Sequence, residues 1–163
     1  MKATALLRNQ HGSLDRLLDR VAAERSSRVE LVLELVEALF THLSIEDTYL
    51  LCSIDEKLKI PIRAYRDQHA LMRNAVLQTV FAEGDDIAFG ERLLELRAAF
   101  REHALGVERD LLPLAESRLR PEELERLGER MQAIWNAAVH GDHSRHEPRV
   151  ERGPRDTRRH AAE

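Results

Sequence analysis

The 163-residue sequence predicts an all-α protein: an up-down-up-down antiparallel four-helix bundle with a short fifth C-terminal helix and a disordered tail. Three observations predict it. Leu, Ala, Glu and Arg abound beside only 7 Gly and 5 Pro, a composition that favours helix over strand. Apolar residues recur at three- and four-residue spacing over long stretches, the period of a helix with one buried face. Short breaks separate those stretches, so neighbouring helices have room only to turn back on one another. With 43% hydrophobic and 33% charged residues, the chain suits one domain with a substantial core.

The first helix runs from Ala3 to about Glu24, with Ala3, Leu7, His11, Leu14, Leu18 and Val21 on one face and Asp15, Arg16, Asp19 and Arg20 outside. Ser26 or Ser27 caps a second helix, with Glu30 placed for a capping box. It continues to about Lys57 along Val32, Leu35, Leu39, His42, Glu46 and Tyr49. Pro61 suits the first turn of a third helix, striped by Ile62, Tyr65, His69, Met72 and Val76 and ended by Gly84. Asp85 or Asp86 caps the fourth, whose stripe is Phe89, Leu93, Leu96, Phe100, His103, Val107 and Leu111. Pro113 should bend or end that helix, because its ring clashes with the carbonyl four residues back. Pro121 opens the short fifth helix, which reaches about His140 on Leu124, Leu127, Met131, Ile134 and Trp135. From Gly141 apolar residues almost vanish, so a domain of 1–140 is expected to be followed by a disordered charged tail, 141–163.

Several function classes are disfavoured. A net charge of −4 argues against nucleic acid as a partner. No apolar run approaches the roughly 20 residues of a membrane span, and Met1–Gln10 lacks a secretory core. The single Cys52 leaves no internal disulfide, and is expected at a core or boundary position. A cytoplasmic location follows as the expectation. There is no glycine-rich phosphate loop, no His-Glu-x-x-His and no nucleophile–base pair.

What stands out is that each of the four long helices carries one histidine on its apolar stripe: His11, His42, His69 and His103. A stripe covers about three positions in seven, so chance would put all four there about once in 30. Glu46 follows His42 by one helical turn, and Glu108 follows His103 by five residues. At about 1.5 Å per residue, all six fall within a slab about two turns thick. A buried unsatisfied imidazole costs roughly 1–3 kcal/mol and an unpaired carboxylate several more, so six such groups would rival the roughly 5–15 kcal/mol stability of a typical domain. Cations would use the lone pairs and cancel the charge. Four nitrogens and two carboxylates are too many for one tetrahedral zinc and suit two iron or manganese ions. His140, His143 and His146 are also spaced like ligands but sit in the polar tail, where solvation is expected. Tyr49 and Tyr65 are expected to pack in the core.

With these residues in order, the chain resembles the hemerythrin-like, or HHE cation-binding, family. Its pattern is matched by His11 in helix one, His42-Leu43-Ser44-Ile45-Glu46 in helix two, Asp67-Gln68-His69 in helix three and His103-Ala104-Leu105-Gly106-Val107-Glu108 in helix four, over about residues 3–118. The resemblance implies a non-haem di-iron centre of the kind an oxo group can bridge, with manganese or zinc as other occupants. It would place His11 and His42 on one iron, His69 and His103 on the other, and Glu46 and Glu108 as bridges. The five-residue step to Glu108 calls for a local bulge in helix four. Oxygen-carrying members have a second histidine where this chain has Arg73, whose guanidinium cannot ligate a cation. Arg73 is then left to bind a surface carboxylate or steer an anion. The ferritin-like alternative needs Glu three residues before a histidine, and Arg8, Leu39, Arg66 and Phe100 stand there.

The expected function is binding or sensing of O2, peroxide or NO in oxygen or redox stress. The alternatives are a metal-free or zinc-occupied helical interaction module, or a di-iron enzyme of peroxide disproportionation or iron-centre repair. A protein partner is not specified by the sequence.

Overall fold

The computed structural model describes residues 1–58 and 62–139. Every regular element among them is helical: α1 (Ala3–Ala23), α2 (Arg28–Ile45), α3 (Cys52–Leu58), α4 (Arg63–Phe81), α5 (Asp86–Gly106), α6 (Leu112–Arg118) and α7 (Pro121–Val139). A π-helical segment, Glu46–Leu51, carries α2 into α3, and a second, Val107–Leu111, carries α5 into α6. Pro61, His140, His143, His146 and the tail lie outside the described residues. No helix among the described residues is long and apolar enough to cross a membrane.

Helix α1 packs on α2 and α5, and α4 packs on the same two, so these four helices close a ring around a common interior. Leu7, Leu14, Leu18, Leu35, Leu39, Met72, Val76, Leu96 and Phe100 are buried there, where each large apolar side chain is worth about 1.5–3 kcal/mol over exposure. Helix α7 lies against α1 and α2 and buries Leu124, Met131 and Trp135. Its Gly128 sits under the N-terminus, where a Cβ would run into the carbonyl oxygen of Met1 and the backbone of Lys2 and Ala3. At the α4–α5 turn, Asp85 Oδ1 accepts from the backbone N–H groups of Ile87 and Ala88 at 3.0 and 3.1 Å, supplying the N-cap. Asp86 instead binds Arg25 and Arg28.

Other local expectations need correction. Ser27 occupies the N-cap of α2 without a side-chain cap bond; its hydroxyl donates to Glu24 Oε2 at 3.0 Å. Pro113 does not end the fourth rod. The π segment closes at Leu111, so the proline falls in the first turn of α6, where its missing N–H is not needed. The fifth helix is not short: at 19 residues α7 matches α4 in length. The π segment after Glu46 moves the buried stripe from Tyr49, which is half-buried, to Leu50 and Leu51. Cys52, expected at a core or boundary position, is exposed, with its thiol 3.2 Å from the Asp47 carbonyl oxygen.

Candidate metal centre

Four of the ring's helical rods each bring one histidine inward. His11 comes from α1, His42 from α2, His69 from α4 and His103 from α5, and none is more than 3% exposed. Glu46, one turn beyond His42, is fully buried among them. Its Oε2 lies 3.4 Å from His42 Nε2, 3.8 Å from His69 Nε2 and 3.3 Å from His103 Nε2. Ligand atoms of His11, His42, Glu46 and His103 all fall within 4.8 Å of one another. The rings stand in two close pairs, His11 with His42 and His69 with His103, each with centroids 4.8 Å apart. Phe100 closes one side, its ring 6.1 Å from that of His11 and 6.5 Å from that of His42.

The outward-facing nitrogens explain why the inward ones are lone pairs. His11 Nδ1–H donates to Glu108 Oε1 at 2.7 Å, His42 Nδ1–H to Gln10 Oε1 at 2.9 Å and His69 Nδ1–H to Asp47 Oδ1 at 2.8 Å. A carboxylate can only accept, so a neutral imidazole bonded to one through Nδ1–H has an unprotonated Nε2. The inner atoms have no such partner. Nε2 of all four histidines and both oxygens of Glu46 are buried without a hydrogen bond among the described residues.

Burial holds the imidazoles of His11, His42 and His69 below their ordinary value, His42 far below it, so they are neutral at pH 7. Burial pushes the Glu46 carboxyl up, while a proton on His103, His69 or His11 beside it pulls it down, and the net direction is below its usual value, so Glu46 is ionised at neutral pH. Several lone pairs and one negative charge therefore face one another in a dry space, an arrangement that repels itself. Two donors each about 2.1 Å from a shared cation, at 90–109°, lie about 3.0–3.4 Å apart. The separations of 3.3 and 3.4 Å to Glu46 are of that size. The donor set and its orphaned atoms fit a metal cation.

The structure does not bring Glu108 into this group. The buried position after His103 goes to apolar Val107, while Glu108 emerges beside α1, its side chain 38% exposed, bonded to the outer nitrogen of His11. A carboxylate is far less costly at that rim, solvated by water and an N–H, than as a further charge beside Glu46. The expected bulge in helix four is present as the Val107–Leu111 segment, yet it directs Glu108 outward.

The hemerythrin HHE cation binding domain model matches residues 2–115. This chain belongs to the hemerythrin HHE cation-binding family. No curated protein and no solved structure matches it.

Two residues of this hemerythrin domain escape a reading of its ligand pattern: Gln10 and Asp47, the partners of His42 and His69. Gln10 left a faint signal, a polar residue three after Leu7 and four before Leu14, and it is 2% exposed. Asp47 left none in an ideal helix, since it reaches His69 from within a π segment. Arg73 does bind a carboxylate, that of Asp47, at 2.8 Å.

Proposed function

We propose that this hemerythrin-domain protein is an antiparallel four-helix bundle, one domain over residues 1–140, that holds two iron ions and uses them to bind or sense O2, peroxide or NO. The observation that carries this is the set of inward Nε2 and carboxylate atoms without partners, drawn from four helices to one level. The two ring pairs support a paired occupancy, His11 and His42 toward one ion, His69 and His103 toward the other, with Glu46 between them. Glu108 serves this reading as an outer acceptor for His11, in place of the bridging role its spacing implied. When bound, iron in such a donor set supplies a redox-active Lewis acid.

The chain's own residues do the rest. Glu108, Gln10 and Asp47 hold three imidazoles in the tautomer that offers Nε2 inward. Phe100 keeps bulk water from His11 and His42. No second histidine follows His69 by one turn, so that half would have one protein donor fewer than in oxygen-carrying members of the family, which would leave a coordination position for an exogenous ligand. A surface hollow of about 210 Å³ lined by His11, Gly12, Phe100, Ala104 and Glu108 lies on the His11 side of the cluster. The reading remains that of a cytoplasmic protein, without nucleic acid or membrane as partner.

One observation favours a second reading. The four donors within 4.8 Å, three nitrogens and one carboxylate, also suit a single tetrahedral zinc. An absorption spectrum of protein loaded with iron, taken with metal analysis before and after O2 or peroxide, separates the two. Two irons per chain and near-ultraviolet or visible bands that respond to oxidant support the di-iron reading. One zinc per chain, with no oxidant-sensitive band after iron loading, overturns it.

A further inference from the structure

The histidines of the cluster differ in what holds them from outside. His42 bonds the neutral amide of Gln10, and His11 bonds Glu108 at the rim. His103 has no partner on Nδ1 among the described residues. Among the described residues only His69 is backed by an ion pair: its Nδ1–H meets Asp47 Oδ1 at 2.8 Å, and the other oxygen of that carboxylate, Oδ2, is taken by Arg73 Nη2 at 2.8 Å. Both members are sheltered, at 24% and 29% side-chain exposure.

We propose that Arg73 and Asp47 are positioning residues for His69, a chain running Arg73–Asp47–His69 that locks the ring's tautomer and aim and makes the His69 half of the centre chemically unlike the His42 half. This rests on reading the cluster as a cation site. Asp47, held at both oxygens, cannot swing away from the ring, and an ionised acceptor on Nδ1–H makes Nε2 a more basic donor than a neutral amide does. The guanidinium is suited to the anchor because its donors lie in a rigid plane, whereas an ammonium on a flexible stem holds the carboxylate with less direction. Arg73 therefore acts on the cation through Asp47 and the ring, without touching it.

The test joins two readouts, nitrogen-15 NMR of the histidine rings in metal-free protein and anaerobic Fe(II) titration, on wild type, Asp47→Leu, Arg73→Met and Arg73→Lys. The wild type should show His69 protonated at Nδ1 alone. In Asp47→Leu that preference should be lost, and one of the two Fe(II) binding steps should weaken about 10–100-fold while the other holds. Arg73→Met should weaken the same step by less, with partial recovery in Arg73→Lys. Because Arg73 is partly exposed, its variants should fold even where Asp47→Leu does not, and a normal helical melt confirms it. Unchanged His69 tautomer and unchanged Fe(II) affinity in folded Arg73→Met overturn the proposal and leave the metal centre standing. A wild type that binds no Fe(II) overturns both.

Discussion

Toward the α1–α2 and α4–α5 turns the interior is filled by Leu14, Leu18, Leu35, Leu39, Met72, Val76, Leu96 and Phe100; beside this layer the same four helices present His11, His42, His69, His103 and Glu46. Both levels are equally dry. In the first, every inward atom gains from leaving water, and close packing is its own reward. In the second, inward nitrogens and oxygens are buried without a partner among the described residues. The difference teaches that the second level is not there to stabilise the fold: the apolar layer holds the helices at a distance that keeps the polar level assembled.

The largest effect that tests this contrast is Glu46→Leu. It should abolish tight cation binding while leaving the metal-free protein folded and within about 1–4 kcal/mol of wild-type stability, since replacing a buried charged group by an apolar one of similar volume is often neutral or stabilising. Denaturant melts of metal-free protein with parallel metal analysis measure both. Leu35→Ala or Leu96→Ala should do the reverse, costing about 2–5 kcal/mol of stability through the cavity left in the apolar layer, with the metal stoichiometry of the folded fraction unchanged.

Acid sharpens the comparison next. Because burial holds His11, His42 and His69 below their ordinary value, the unfolded chain binds more protons than the folded one below about pH 6.5. Stability of the metal-free protein should therefore be full above that pH and fall as pH drops toward the depressed folded values, by up to about 1.4 kcal/mol per pH unit for each histidine. Urea midpoints that do not move between about pH 7.5 and pH 5.5 would contradict the neutral, buried imidazoles. The smallest effect lies far from the polar level. Asp85→Ala should remove the α5 cap and cost about 1 kcal/mol, leaving metal binding untouched in the same titration.

How far the sequence disclosed this follows from which features alter its period. The four histidines and Glu46 were legible because they interrupt leucine stripes at positions a regular helix must bury, and all are buried. The π segments were not legible in full, since an extra residue in a turn changes no composition. That one-residue slip is why Leu50 and Leu51 are buried rather than Tyr49, and why Asp47 rather than a stripe residue reaches His69. The same device let the chain pass through Pro113, which as a solitary residue signals a break. Glu108 stands at the rim on His11: spacing says only that a carboxylate is near a site, while its facing inward or outward depends on what else competes for the interior. Gln10 lay in view on the α1 face, and only the partner it serves was hidden.

The most direct measurement is a calorimetric melt of the metal-free protein against the same protein with Fe(II), Mn(II) or Zn(II). If cations are what the partnerless nitrogens and Glu46 face, at least one must raise Tm, because a ligand at 100 times its Kd adds about 2.7 kcal/mol to the folded state, and Glu46→Leu must erase the rise. Identical melts of the wild type with and without all three metals would contradict the account.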